Sequence, residues 1–408
     1  MLKYHTIPEG MVICPVCAGA LRLQGNSLFC SSRHCFDIAK QGYVNFLLQA
    51  PKEKYGKRLF QSRARVSQAG VFRGLTDRLG EIARNELERQ DLEQRERRSQ
   101  ELKKQGLRQR EMWRQGLQQQ RLPEGELQQR ELRQQGLHQG ELWQQGLQQR
   151  ELQRQELQQQ GLQQQAPEQQ ELQNKATRRQ ALQREELQEL EQQKMAQPSL
   201  GLSSGESFHN TVAILDAGCG EGSHLSALVR QLAGTTGGRL IAAGIDISKA
   251  GIQLAARANP GMLWGVADLA KCPFANGSFD IILNLLSPAN YLEFNRMLAD
   301  DGLVMKVIPG TEYLQEVRRA MHSKTERGTY SNERTIELFR RHFELVDMQQ
   351  VKYQLLIEQK ELADLLQMTP LAWRATEEQL RSLQAMGEKA PVITFDFVIL
   401  IGKKIYIR

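Results

Sequence analysis

A regular alternation that begins at Val212 limits this chain's fold more than any other feature. The runs V-A-I-L-D, L-I-A-A-G-I-D, F-D-I-I-L-N-L-L and G-L-V-M-K-V-I are apolar and strand-length. S-H-L-S-A-L-V-R-Q-L and A-G-I-Q-L-A-A-R-A lie among them, with apolar residues at helical spacing. Strands that alternate with helices pair in parallel, because each crossover returns the chain over one face of the sheet. Such a sheet is covered on both faces, so its strands read as nearly unbroken apolar runs. Residues 205–408 are therefore expected to form an α/β domain with a mostly parallel, Rossmann-like sheet. It closes on a last strand or strand pair in V-I-T-F-D-F-V-I-L-I-G.

The turn after the first of these strands carries the chemistry. Asp216 ends the strand, and Gly218, Gly220 and Gly222 follow in L-D-A-G-C-G-E-G. Glycines let the chain turn sharply and let a ligand approach the backbone. The spacing is G-x-G-x-G, not the G-x-G-x-x-G of dinucleotide sites, and a strand-terminal acid before it points to S-adenosylmethionine. Asp246 ends the next strand and is placed to accept from both ribose hydroxyls, since a carboxylate offers paired acceptors. Asp268 ends a third strand and suits the adenine amino group, or else is a surface turn acid. The fourth strand leads into N-L-L-S-P-A-N, the loop expected to face the transferred methyl. Asn284 and Ser287 are the catalytic candidates there, with Asn290 beside them. The plainer role for Ser287-Pro288 is to cap a helix over Ala289–Leu298.

A second constellation lies near the start of the chain. Cys14-Pro-Val-Cys17 places two thiolates within reach of one Zn²⁺, and Cys30-Ser-Ser-Arg-His34-Cys35 follows. Tetrahedral zinc needs Cys30 and one further ligand, and spacing alone leaves His34 and Cys35 equal. A closed four-ligand site keeps no position open for substrate, so this zinc is structural. Residues 1–50 are expected to form a small zinc-binding domain. Residues 51–85 follow as a basic linker and helix, in which Lys52, Lys54, Lys57, Arg58, Arg63 and Arg65 face one acid, Glu53. Such a run suits a phosphate backbone, or else is a solvated linker.

Between these parts lies a Gln- and Leu-rich segment, residues 86–204. Of the 21 positions reached by steps of five from Leu87 to Leu187, 17 are leucine. At roughly 100° per helical residue, a step of five turns the next leucine by about 140°. The leucines spiral and form no stripe, so this is no heptad coiled coil. It is expected to be a low-complexity insertion of exposed helix fragments or disorder. The whole chain carries 54 Lys and Arg against 47 Asp and Glu, a net charge of +7 that permits an anionic partner. No run of about 18 apolar residues exists to cross a membrane. Clustered cysteines and the lack of an apolar leader in Met1–Gly10 point to the cytoplasm.

The order of these parts resembles a known family. C-P-V-C, then C-S-S-R-H-C-F-D-I-A-K-Q-G-Y-V-N-F, S-R-A-R-V-S-Q-A-G-V-F, L-D-A-G-C-G-E-G and L-L-Q-M-T-P-L-A-W-R are similar to segments of the RlmA-type 23S ribosomal RNA guanine-N1 methyltransferases, including their macrolide-resistance relatives. The resemblance covers both ends and all of residues 205–408. It implies a class I S-adenosylmethionine-dependent methyltransferase in which the small N-terminal zinc domain, residues 1–50, serves RNA recognition. It implies zinc on Cys14, Cys17, Cys30 and His34, and cofactor contacts at Gly220, Glu221, Phe72 and Tyr313. The implied substrate is guanine N1 in a hairpin loop of 23S rRNA, of the guanine 745 or 748 type, and the implied assembly is a homodimer. Two other readings compete: a small-molecule methyltransferase, and a non-catalytic protein that keeps the fold to bind rRNA or a drug.

Overall fold

The computed structural model describes residues 8–49, 56–119, 211–233, 239–321, 331–369, 376, 379 and 391–405. Lys52, Lys54, the remainder of the Gln-rich segment and Pro370–Arg374 of the T-P-L-A-W-R motif lie outside them. The described chain opens with β1 (Arg22–Gln24), β2 (Ser27–Phe29), β3 (Cys35–Asp37) and β4 (Tyr43–Asn45), followed by α1 (Lys57–Gln68) and α2 (Arg73–Gln119). Then come β5 (Thr211–Ala217), α3 (Ser223–Leu232), β6 (Arg239–Asp246), α4 (Lys249–Ala258), β7 (Leu263–Val266) and β8 (Phe279–Leu285). The remainder is α5 (Tyr291–Met297), β9 (Leu298–Pro309), α6 (Gln315–Met321), α7 (Glu333–Arg340), β10 (Phe343–Leu356), α8 (Gln359–Met368) and β11 (Val392–Lys404).

Eight strands form one sheet in the order β10-β11-β9-β8-β5-β6-β7-β4. Pairing is parallel from β9 through to β4, while β11 runs antiparallel to both its neighbours. This is the expected mostly parallel sheet. Strand order reverses at β5, with β6 on one side and β8 on the other, so the crevice beyond the carboxyl ends of β5 and β6 is the natural ligand position. Apolar side chains cover both faces. Ile214 joins Leu75, Leu225, Ile252 and Phe395 on one face, and Leu215 joins Ile241, Phe274, Phe294 and Phe343 on the other.

β1, β2 and β3 make a small antiparallel sheet. The N-terminal segment is joined to the large sheet as well. Tyr43, Val44 and Asn45 of β4 pair in parallel with Trp264, Gly265 and Val266 of β7. The Ile13 N–H donates to the Pro273 carbonyl at 3.0 Å and the Ala275 N–H to the Met11 carbonyl at 2.9 Å. Phe36, Val44 and Phe46 share a core cluster with Ile245 and Phe274.

α1, Phe72 and the first turns of α2 belong to the other core cluster, the one that holds Ile214, through Val66, Phe72, Leu75, Leu79, Ile82, Ala83 and Leu87. α1 is tied to α8 by one carboxylate. Asp364 accepts from Ser62 Oγ at 2.8 Å and from Arg65 Nε and Nη2 at 2.7 and 2.5 Å. Beyond Leu87 the fivefold leucine step has the consequence expected of a helix without a stripe. Leu92, Leu102, Leu107 and Met112 are 59–65% exposed. The chain divides into two compact units, Met1–Arg95 with Phe208–Arg408, and Glu96–Ser207. Among the described residues no helix is long and apolar enough to cross a membrane.

Candidate cofactor site and metal centre

Cys14, Cys17, Cys30 and His34 offer four ligand atoms that all lie within 4.8 Å of one another. His34 Nδ1 stands 3.5 Å from Cys14 Sγ and 3.3 Å from Cys30 Sγ, and Cys17 Sγ stands 3.6 Å from Cys30 Sγ. Zinc–sulfur bonds of about 2.3 Å and zinc–nitrogen bonds of about 2.0–2.1 Å put the corners of a tetrahedron roughly 3.5–3.8 Å apart. The observed edges fit that cage. The Gly19 backbone N–H, with His34 and Ser32, draws the Cys17 thiol down to about 6, toward the thiolate a metal needs. Cys35 is exposed on β3, with its Sγ turned toward Asp37. Zinc is the metal this Cys₃His set suits, and with four protein ligands its role is structural.

The second site is built at the carboxyl ends of β5 and β6. Gly218, Gly220 and Gly222 all have positive φ, at 85°, 58° and 81°. The Gly220 N–H donates to Asp246 Oδ2 at 2.9 Å, and the Ser248 N–H donates to Oδ1 at 2.7 Å. Asp246 is thus aimed by two backbone donors, and each oxygen keeps a further lone pair for a ligand hydroxyl. Glu221 accepts from the N–H and the hydroxyl of Ser223, each at 2.8 Å. Asp216 is 1% exposed, and its Oδ1 has no hydrogen-bond partner. Asp268 lies on an exposed turn after β7, where its Oδ1 accepts from the Ala270 N–H at 2.9 Å.

Two side chains with no assigned role in the sequence, His224 and Phe60, and a third assigned elsewhere, Arg63, complete this region. His224, on the first turn of α3, is buried, its Nε2 lacks a partner, and its ring meets Phe72 edge-on at 5.3 Å. Phe60 and Arg63 of α1 lie against the glycine loop. A methyl group at Gly220 would stand 3.4 Å from Phe60 Cε1 and 3.1 Å from Arg63 Nη1. Arg63, grouped in the sequence with phosphate-binding cations, is turned inward instead, and its buried Nε also has no partner. Unpaired buried polar atoms are rare in folded chains. Here Asp216 Oδ1, His224 Nε2 and Arg63 Nε all belong to residues of one crevice, which is what a site shaped for a polar ligand presents.

Electrostatics agree. Burial pushes the Asp216 carboxyl up to about 7, against the opposing pull of the Arg63 guanidinium. Burial also raises Glu221 and Asp246, and it holds His224 down at about 3. Between pH about 4 and 7, folded Asp216 binds a proton that the unfolded chain has released, so its contribution to stability falls as pH rises. His224 acts in the opposite sense, stabilising at neutral pH and losing that contribution on acidification. Asp216→Asn is therefore expected to flatten the fall of ligand-free stability between pH 4 and 7 by a few kcal/mol at most. Urea midpoints across that range check it, and an unchanged pH slope would contradict it.

The loop after β8 is held from within. Asn284 is buried, and its amide donates to the Ala217 carbonyl at 2.6 Å and to the Pro288 carbonyl at 3.0 Å. Its Oδ1 accepts from Lys306 Nζ at 2.5 Å, and the same ammonium donates to the Ser287 carbonyl. Ser287 Oγ lies over the loop, 2.1 Å from where a Gly218 methyl would stand. The helix cap is Asn290, whose Oδ1 accepts from the Glu293 N–H at 3.3 Å, one turn away from the Ser287-Pro288 cap expected. Phe72 is a core ring against Phe395 and Phe397, and Tyr313 packs on Phe397 at 5.1 Å.

Comparison with known proteins agrees with this arrangement. Residues 12–53 match the family model described as RlmA, N-terminal, a zinc ribbon, and residues 214–302 match a methyltransferase domain model. A Bacillus subtilis (strain 168) protein named "Putative 23S rRNA (guanine-N(1)-)-methyltransferase YxjB" is 28% identical over 98% of this chain and 99% of that one. A Streptomyces fradiae protein named 23S rRNA (guanine(748)-N(1))-methyltransferase is 28% identical over 41% of this chain and 58% of its own length. Among solved structures, the geranyl diphosphate C-methyltransferase of Streptomyces coelicolor A3(2) is 12% identical, covering 48% of this chain and 70% of that one with a TM-score of 0.30. The methyltransferase domain and its donor set make S-adenosylmethionine the cofactor. With an RlmA N-terminal zinc ribbon matched at one end, a methyltransferase domain matched in the other half, and a relative alike from end to end, the chain is similar throughout to the RlmA-type methyltransferases.

Proposed function

We propose that this chain transfers a methyl group to N1 of a guanine in a hairpin loop of 23S rRNA. The observation that carries this reading is the zinc ribbon's attachment through β4 to β7, the strand that leads into Asp268 at the rim of the cofactor crevice. A small-molecule enzyme has no need of a metal-clasped module there. When bound, S-adenosylmethionine supplies a methyl on a cationic sulfur, already a good leaving group. The protein's task is then to hold and to orient.

In this reading Asp246 grips the ribose hydroxyls and Asp268 the adenine edge. Gly218, Gly220 and Gly222 let the ligand lie against the backbone, with Asp216 and Glu221 beneath it. Phe72 and Tyr313 back the site through the core rings. Asn284, clamped by Lys306, holds the loop that presents Ser287 toward the incoming base. A base in a hairpin loop is reached without opening a duplex. Lys57 and Arg58, exposed at the start of α1, are suited to the RNA backbone. The reading carries with it a cytoplasmic location and a homodimer, the latter checked by sedimentation.

The test is methyl incorporation into unmodified 23S rRNA, followed by mass mapping of the nucleotide. One methyl at N1 of a hairpin guanine is expected, with a reverse-transcription stop there, because N1 lies on the Watson–Crick edge. Cofactor binding without any incorporation into rRNA, or a methyl on another atom, would overturn the assignment.

A further inference from the structure

The crevice holds an imbalance of charge that points to a role for Arg63. Asp216, Glu221 and Asp246 are three carboxylates within it, Asp216 and Glu221 at 1% and 4% exposure. Buried charges persist only when paired or well hydrogen-bonded. Asp246 and Glu221 have backbone and hydroxyl donors, while Asp216 Oδ1 has none. The guanidinium that counters this group comes from α1, far from the glycine loop in sequence but against it in space. Lys306, a second cation near the loop among the described residues, already donates to Asn284 and to the Ser287 carbonyl.

S-adenosylmethionine carries two positive groups, its sulfonium and its ammonium, and one negative group, the carboxylate of its methionine part. A crevice rich in carboxylates meets the first two. It must also supply a cation for the third, and planar guanidinium is the group that matches a carboxylate with paired N–H donors. We propose that Arg63 recognises the methionine carboxylate of the cofactor, so that the site selects against cofactor analogues lacking it. Arg63 is held for this from two sides. Ser62 and Arg65, its neighbours on α1, are fastened to Asp364 of α8, and Phe60 lies on the glycine loop one turn earlier. Its unpartnered Nε leaves it a donor to give.

This inference rests on the cofactor assignment above, and the experiment separates the two. Calorimetry compares binding of S-adenosylmethionine and of decarboxylated S-adenosylmethionine to the full chain, to Arg63→Met and to Arg63→Lys. For the unsubstituted chain, binding of S-adenosylmethionine tighter by about 10- to 100-fold is expected, the range of a charge-assisted pair. Arg63→Met is expected to lose that preference, binding S-adenosylmethionine more weakly by the same factor and the decarboxylated analogue unchanged. Arg63→Lys, which keeps the charge but loses the fork, is expected to retain part of the preference and serves if the methionine variant fails to fold. Equal weakening toward both ligands would make Arg63 a structural counter-ion, and no weakening toward either would leave it without a role in binding; both results overturn the proposal. Failure of the unsubstituted chain to bind either ligand would instead remove the cofactor assignment and the proposal with it.

Discussion

Stripping the metal from the purified chain will unfold the N-terminal ribbon and release β4 from the large sheet. The ribbon's own strands supply little of the order that β4 and its apolar contacts with the large sheet depend on. β1, β2, β3 and β4 are three residues each, and isolated strands of that length have no stability of their own. Cys14 and Cys30 are buried within its core cluster. Without metal, the thiols and His34 would crowd one small volume with no positive centre to bind. Structural zinc contributes roughly 10–16 kcal/mol of binding free energy to small domains, which is more than a ribbon of this size can replace. One zinc per chain is expected by elemental analysis, and Cys30→Ser should lose it. Hydrogen exchange across Tyr43–Asn45 should then rise to the rate of an open chain. Cys35→Ser should keep both metal and protection, because that thiol faces Asp37. A Cys30→Ser chain with full metal content would refute the assignment.

Gly222→Ala is expected to be nearly as damaging, through an unrelated cause. Gly222 caps α3 with φ of 81°, a left-handed conformation that costs an L residue roughly 1–2 kcal/mol. A methyl group there would stand 2.5 Å from Cη2 of Trp264 and 3.0 Å from the Ala255 methyl. Trp264 cannot retreat, since it is fully buried and its indole N–H donates to the Asn259 carbonyl at 2.8 Å. Overpacking of this kind costs about 1–3 kcal/mol more. Together these approach the lower end of a domain's total stability, about 5 kcal/mol. Urea denaturation should show the midpoint falling sharply. Gly261→Ala, on an open turn with nothing within 4 Å, should change stability by no more than about 0.5 kcal/mol.

The strands and helices from Val212 onward were legible because periodicity and burial agree in a two-faced sheet. S-H-L-S-A-L-V-R-Q-L, for one, is α3 from first residue to last. The fourth zinc ligand was not legible from spacing, since His34 and Cys35 are adjacent. The pleat of β3 decides between them: Phe36 points into the core, so Cys35 points out. β4 was beyond reach for another reason. Three residues carry no period, and their partner strand lies more than half the chain away. Arg63 was hidden in a basic run, because a count of cations along a sequence does not say which ones a helix turns inward. The loop cap was misplaced by one turn because Leu286 adopts a positive φ of 49°, which delays the helix until Tyr291.

The tether between Ser62 and Asp364 joins residues 302 positions apart. A ribosome delivers Phe60, Arg63 and β4 early and Asp364 near the end, so the N-terminal quarter emerges long before the surface it packs on. Its apolar residues must wait, uncovered, through synthesis of the whole Gln-rich segment. Long-range contacts of this kind close slowly and leave partly built sheets open to association. A segment that is long, polar and without a sticky stripe is the sort of spacer such a delay can tolerate, whereas an apolar one of equal length would trap the nascent chain.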